Sequence, residues 1–319
     1  MRSSQKKKQV NCSDKSRTKN IFLLYTIFKF ITSHPLNSNR KLKALLTFLC
    51  WQIGSRLISK KVVVPWVDSA KFVSGLGESG LTGNIYAGLT EFEDMLFLLH
   101  ALDPNSIFID IGANAGAYTI LASKVVKSRA IAFEPLPETI KRLNDQISIN
   151  NLHGIVDVRN VGVADVNGSL FFTNNSDTVN KVCLTGSQDN TTRVNVVTLD
   201  NELNVNEKYF LKIDVEGFEY NVIQGASKIL SKDNIDAIII ELNGSGDEFG
   251  YTNEDVHLKI LSFGFTSVRY EPFTRVLSKL DGYNKSSGNT IYIKDFDRIA
   301  QRCKLAPRRI IHTANKIDI

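Results

Sequence analysis

Residues 107–116 read IFIDIGANAG, and this stretch decides how the chain folds. Its first five residues are apolar except for Asp110, the composition of a strand buried on both faces. Gly112 follows at once, then Asn114 and Gly116, and residues 115–126 read as a helix. Strand, glycine turn and helix in that order open a β-α-β unit. Gly112 permits the tight turn, and Gly116 lets backbone approach a ligand or the sheet. The spacing is not G-x-G-x-x-G, which counts against a dinucleotide fingerprint. Asp110 at the strand end would repel a pyrophosphate and suits a ligand carrying positive charge, such as an amino acid moiety or a sulfonium.

Downstream the alternation repeats. Residues 130–133 read as a second strand, 137–150 as a helix with Pro137 in its first turn, and 156–161 as a third strand. Residues 166–199 interrupt it with strand-like stretches at 169–173 and 193–199, the pattern of a β-rich insertion. It then resumes with strand 209–215, helix 220–230, strand 237–242, helix 253–263 and closing strands near 267–270 and 290–294. Five such strands, four of them followed by a helix, and two closing strands predict an α/β fold with an open, mostly parallel sheet and helices on both faces.

Upstream, residues 1–20 are polar and basic and are expected to form a disordered tail. Residues 21–60 read as a helical extension. The apolar stretch 21–31 is interrupted by Lys29 and falls short of the ~20 residues a membrane span needs. Residues 61–104 form a lead-in: a β-branched run before Pro65, a loop expected from Gly75, Gly77, Gly80, Gly83 and Gly88, and a cap helix over 91–102 opened by Thr90. The alternating domain occupies 105–295, and 296–319 reads as a basic C-terminal tail.

The first 61 residues hold fourteen Lys/Arg against Asp14 alone, a net +13, so the whole-chain charge of +6 leaves −7 on the remainder. Basic character therefore belongs to the N-terminal segment, and a nucleic-acid-binding body does not follow from it. Residues 21–58 suit either a cap on the domain or peripheral contact with an anionic membrane surface. Cys12, Cys50, Cys183 and Cys303 lie far apart with no CxxC pair, which argues against a zinc site or disulfide framework and for a reducing, cytoplasmic setting.

In such sheets ligands bind beyond the carboxyl ends of the strands, where strand order switches. Three strand ends carry chemistry. Asp110 is the first. Glu134 follows the second strand, 24 residues on, close to the offset at which a carboxylate grips ribose hydroxyls. The third is LKIDVEG at 211–217, where period-two alternation puts Lys212, Asp214 and Glu216 on one face. A lysine in an apolar strand needs a partner, because isolated buried charge is strongly disfavoured. Asp214 and Glu241, at the end of the next strand, are the expected partners.

The segments IFIDIGANAGAYTILAS, IAFEPLPETIKRLNDQISINNL, VVTLDNEL, FLKIDVEGFEYNVIQGASKIL and IIIELN occur in this order. Together they resemble the FkbM family of methyltransferases over residues 105–295. The resemblance implies a Rossmann-like, seven-stranded class I methyltransferase fold, S-adenosylmethionine as cofactor, and O-methylation of a hydroxyl on a saccharide or secondary metabolite. By position it implies that Asp110, Gly112, Asn114 and Gly116 contact the methionine part, Glu134 the ribose, and Asp165 the adenine side.

No histidine is expected at a strand carboxyl end, although His257, early in a helix, stays open as a base. A carboxylate base is expected instead: Asp214 first, then Glu216 or Glu241, with Lys212 orienting Asp214 or stabilising oxyanion charge. The same acids could hold Mg²⁺, a reading less favoured than a metal-free site. Competing functions are RNA 2′-O-methylation, a catalytically silent S-adenosylmethionine-binding module tethered to a membrane, and a dehydrogenase. The acidic body, the intact strand-end acids and the glycine spacing count against them in turn. The stretch 75–90 with Tyr86, the insertion 166–199 and the loop 243–252 are expected to wall the acceptor site.

Overall fold

The computed structural model describes residues 24–58, 60–173, 181–183, 190–286, 288–312 and 316–319; the expected tail 1–20 lies outside them. An eight-stranded sheet forms the centre. In spatial order it runs Val276–Lys279, Thr266–Glu271, Asn289–Ile293, Ile235–Glu241, Tyr209–Ile213, Ile107–Ile111, Arg129–Phe133 and Val156–Arg159. The five strands from Ile235–Glu241 to Val156–Arg159 are parallel, and the three at the other edge are antiparallel. This is the α/β class I methyltransferase-like arrangement, with Val276–Lys279 added to the expected seven strands by a hairpin. Strand order switches between Ile107–Ile111 and Tyr209–Ile213, where a crevice opens at the carboxyl ends.

Alternation along the two central strands sorts their side chains into two cores. Ile107, Ile109, Ile111, Leu211 and Ile213 join the core under the Glu219–Gln224, Ser227–Leu230 and Asn253–Leu261 helices. Phe108 and Phe210 join the core under Phe92–Ala101. Asp110 and Lys212 lie in register on that same face, one step nearer the carboxyl end. Each large apolar side chain buried this way contributes about 1.5–3 kcal/mol. The two charges therefore sit where a hydrophobic layer gives way to the crevice.

Several expectations need correction. The glycine-rich stretch is not all loop: Ser79–Ala87 is a helix. A Cβ on Gly83 would meet Thr90 Cγ2 at 2.3 Å, so this glycine serves close packing. Thr90 does not cap the next helix; its N–H donates to Asn84 Oδ1 at 2.9 Å. The 220–230 helix is two short ones, broken at Gly225.

The described residues of the expected 296–319 tail are ordered elements. Phe296–Leu305 is a helix and Ile310–His312 pairs with Lys316–Asp318. Ile299 and Cys303 are buried at helical spacing, and the arginine immediately before each has a buried target. Arg298 and Arg302 reach the two oxygens of Asp236, 1% exposed, at 2.9 and 2.8 Å. The insertion forms a four-stranded sheet in the order Gly162–Val163, Thr191–Val197, Gly168–Thr173, Val182–Cys183. Among the described residues no helix is long and apolar enough to cross a membrane.

Candidate active site

A cavity of about 290 Å³ opens at the switch point. Eight of the ten anticipated site residues line it: Asp110, Gly112, Asn114, Glu134, Lys212, Asp214, Glu216 and Glu241. Two do not. Gly116 lies behind the wall, where a Cβ would meet Leu143 Cδ1 at 2.4 Å. Asp165, just past the short strand Gly162–Val163, is exposed and accepts from Asn221 Nδ2 at 3.2 Å. None of the lining residues is a histidine. His257 is buried, with Nδ1 2.8 Å from the Tyr292 hydroxyl.

One end of the cavity is built by the glycine turn. Gly112 has φ 78°, and a Cβ there would stand 1.8 Å from the Asp214 carbonyl oxygen. Only glycine lets the turn and the Asp214 strand end approach this closely. Asn114, also left-handed at φ 47°, donates its N–H to Glu134 Oε2 at 3.0 Å. Glu134 Oε1 accepts from the Leu136 N–H at 3.0 Å. Burial pushes the Glu134 carboxyl up to about 7, against the pull of these two donors. Asp110 is raised to about 6, again by burial, although Thr119 Oγ1 donates to it at 2.5 Å. Asn114 Oδ1 is buried and has no hydrogen-bond partner among the described residues.

The other end is organised around one cation. Lys212 is 1% exposed, and its Nζ donates to Asp214 Oδ2 at 3.1 Å and Asn289 Oδ1 at 3.3 Å. The ammonium also lies 5.3 Å from the centre of the Tyr118 ring. Burial works against its charge, but Asp214, Glu91 and Glu241 outweigh it and its pKa is raised. Of the two expected partners Asp214 is in contact, whereas Glu241 acts at longer range.

Oxygens of Asp214, Glu216 and Glu241 lie within 4.8 Å of one another, close enough to share a proton or hold a cation. Burial and then the Asp214 charge push Glu216 up to about 7; the same causes raise Glu241.

Sequence reasoning missed a group behind Lys212. The Tyr118 hydroxyl donates to Glu91 Oε2 at 2.5 Å. Asn289 Nδ2 donates to Glu91 Oε2 at 2.8 Å and Asp94 Oδ2 at 3.0 Å. Asp94 is buried and pushed up to about 7 by burial and then by Glu91. Gly80 from the lead-in and Phe172 from the insertion complete the wall. Tyr86 instead packs edge-on against Phe48, and no residue of the 243–252 loop is in the lining.

The sequence profile of the methyltransferase FkbM domain family matches residues 110–267, from the strand-end aspartate to the first antiparallel strand. The chain carries an FkbM methyltransferase domain. Hexuronic acid methyltransferase AglP of Haloferax volcanii is 28% identical over 153 residues, covering 47% of this chain and 61% of that enzyme. The chain thus spans less than two thirds of that relative's length. Methyltransferase 1 of Beauveria bassiana is 25% identical over 182 residues, covering 50% of this chain and 73% of that one.

Among solved structures, the FkbM methyltransferase of Methylobacillus flagellatus KT superposes with a TM-score of 0.42 at 17% identity, covering 60% of this chain and 44% of that one. SMU.1697c of Streptococcus mutans, a putative methyltransferase in complex with SAH, gives 0.38 at 17%, covering 63% and 96%. The matched FkbM segment contains every cavity-lining acid except Glu91.

Proposed function

We propose that this protein is an S-adenosylmethionine-dependent O-methyltransferase acting on a hydroxyl of a saccharide or hydroxylated secondary metabolite. The observation that carries this is one cavity joining the Gly112 turn and Glu134 to the ion-paired Lys212–Asp214 carboxylate cluster. The cofactor fits the residues present. Gly112 puts bare backbone in the cavity wall, Asn114 Oδ1 is a buried acceptor awaiting a donor, and Glu134 keeps lone pairs for ribose hydroxyls. Asp110, Asn114 and the Gly112 backbone would hold its methionine part and Glu134 its ribose. When bound, S-adenosylmethionine supplies an electrophilic methyl on a positively charged sulfur.

The chain's own residues orient the acceptor and remove its proton. Asp214, held in position by Lys212, accepts a hydrogen bond from the acceptor hydroxyl. The carboxylates of Asp214, Glu216 and Glu241 take the proton as a coupled group. The Lys212 ammonium stabilises negative charge developing on the acceptor oxygen. We assign the trio to proton removal rather than to a metal, because Lys212 already supplies the counter-charge beside Asp214. The hydroxyl-rich acceptor suits a wall of carboxylate acceptors, and the similarity to a hexuronic acid methyltransferase supports a sugar.

The test is transfer of labelled methyl from S-adenosylmethionine to a panel of nucleotide sugars, glycosides and RNA, with the product linkage read by NMR. An O-methyl sugar is expected, with activity insensitive to chelator and lost in Asp214→Ala. Methylation of RNA alone, or of nitrogen, would overturn the reading.

A further inference from the structure

The helix Lys41–Leu57 carries its apolar residues on the side that faces solvent. Leu42, Leu46, Leu49, Ile53 and Leu57 recur at spacings of three and four, one stripe along the helix, and are between 52% and 79% exposed. The opposite face holds the structural contacts: Ala44 and Ser55 are buried, and Phe48 packs on Tyr86 of the Ser79–Ala87 helix. The preceding helical residues, 24–33, add Leu24, Tyr25 and Phe28, each more than half exposed. Lys29, Lys41, Lys43 and Arg56 are exposed on the same two elements, and residues 24–58 contain no Asp or Glu. So large an apolar stripe, left uncovered by the described residues, is unusual on a protein surface unless something binds it.

We infer that this stripe docks on the surface of an anionic lipid bilayer, lying in its interface with the basic residues against the headgroups. Charge complementarity selects this occupant. The stripe belongs to the segment that carries +13, whereas the remaining body carries −7. An anionic surface attracts the first and repels the second, which orients the molecule with the helix toward lipid. A second copy docking stripe to stripe would instead bring two such basic segments together. The chain's own first 23 residues are a poor cover, since their apolar side chains are only Met1, Val10, Cys12 and the run Ile21, Phe22 and Leu23, among seven Lys/Arg.

The helix packs on Ser79–Ala87, whose Gly80 lines the cavity. Docking would thus hold that wall about one helix diameter, ~10 Å, from the lipid surface.

The experiment floats the full-length protein with vesicles of pure phosphatidylcholine and of a phosphatidylcholine–phosphatidylglycerol mixture. We expect affinity at least about tenfold higher for the mixture, falling with salt. The double variant Leu46→Glu, Ile53→Glu should lose about tenfold or more, whereas Leu46→Phe, Ile53→Leu should keep it. Unchanged thermal unfolding of both variants shows that the fold is intact, since both positions face outward. Failure of the parent protein to bind mixed vesicles overturns the inference. So does equal binding by the double-Glu variant, or a dimer of the parent that this variant dissolves. None of these outcomes depends on methyl transfer, so the inference and the enzymatic reading fail separately.

Discussion

Replacing Lys212 by Met removes the one cation that, among the described residues, is in direct contact with the acidic cluster, while keeping most of the apolar stem. In the native protein its Nζ lies 3.1 Å from Asp214 and 3.3 Å from the amide oxygen of Asn289, whose other end holds Glu91 and Asp94. Breaking a buried pair by deleting one partner costs about 3–5 kcal/mol, because the other charge is left uncompensated. The Asp214 side chain is 34% exposed, so solvent recovers part of its share and the low end, about 3 kcal/mol, is expected. That loss should depend on pH. Without the ammonium the cluster relieves its repulsion by binding protons, so the penalty is largest at pH 8 and shrinks toward pH 5.5. Urea unfolding of parent and variant at the two pH values reads it directly. Catalysis should fall further, by about 10²-fold or more, since the group that stabilises oxyanion charge is gone. A Lys212→Met protein as stable as the parent at pH 8 would refute the view that this lysine holds the cluster together.

Gly112→Ala should abolish cofactor binding and destabilise by more than the roughly 1–2 kcal/mol of a left-handed alanine, because its Cβ would meet the Asp214 carbonyl at 1.8 Å. Thermal unfolding and calorimetry check both parts. Asp165→Ala should leave cofactor affinity within about twofold of the parent, since a solvent-facing group contributes little; a tenfold loss would restore Asp165 to the site. The ligand-free protein should lose stability as pH rises. Asp94, Glu134 and Glu216 are pushed up to about 7 and Asp110 to about 6, above the ~4 of unfolded carboxyls. The folded state therefore holds protons that the unfolded state has released. Its advantage is full below pH ~4 and disappears as pH climbs through ~7. Melting temperature should fall by several degrees from pH 5 to pH 8, and a rise over that window would contradict these assignments.

What the sequence reveals follows from the range of the interactions involved. The strand-end acids were legible because a strand, its turn and its helix are local, and the carboxyl-end rule converts chain position into place. That rule puts Asp110, Glu134, Asp214 and Glu241 at the crevice, and all four line the cavity. Glu91, Tyr118 and Asn289 escape the rule, because they meet only when the lead-in helix and the last antiparallel strand close over the crevice. A signal existed: Asp94 interrupts the apolar run EFEDMLFLLHAL on a helix that must be buried, and a buried acid needs a partner. The C-terminal helix was obscured by its arginines. The spacing of Phe296, Ile299 and Cys303 marks an amphipathic helix, and the arginines serve buried Asp236. Asp165 rested on family position alone, with no local pattern to place its side chain.

What the cavity binds decides most directly between a methyltransferase and a dehydrogenase. Titration calorimetry of the full chain with S-adenosylmethionine and with NAD compares the two cofactors that this sheet architecture accommodates. We predict a single site for S-adenosylmethionine, no heat with NAD, and a roughly 10–100-fold loss of affinity in Glu134→Gln, the range for hydrogen bonds to a charged acceptor. Binding of NAD without S-adenosylmethionine would contradict the central claim.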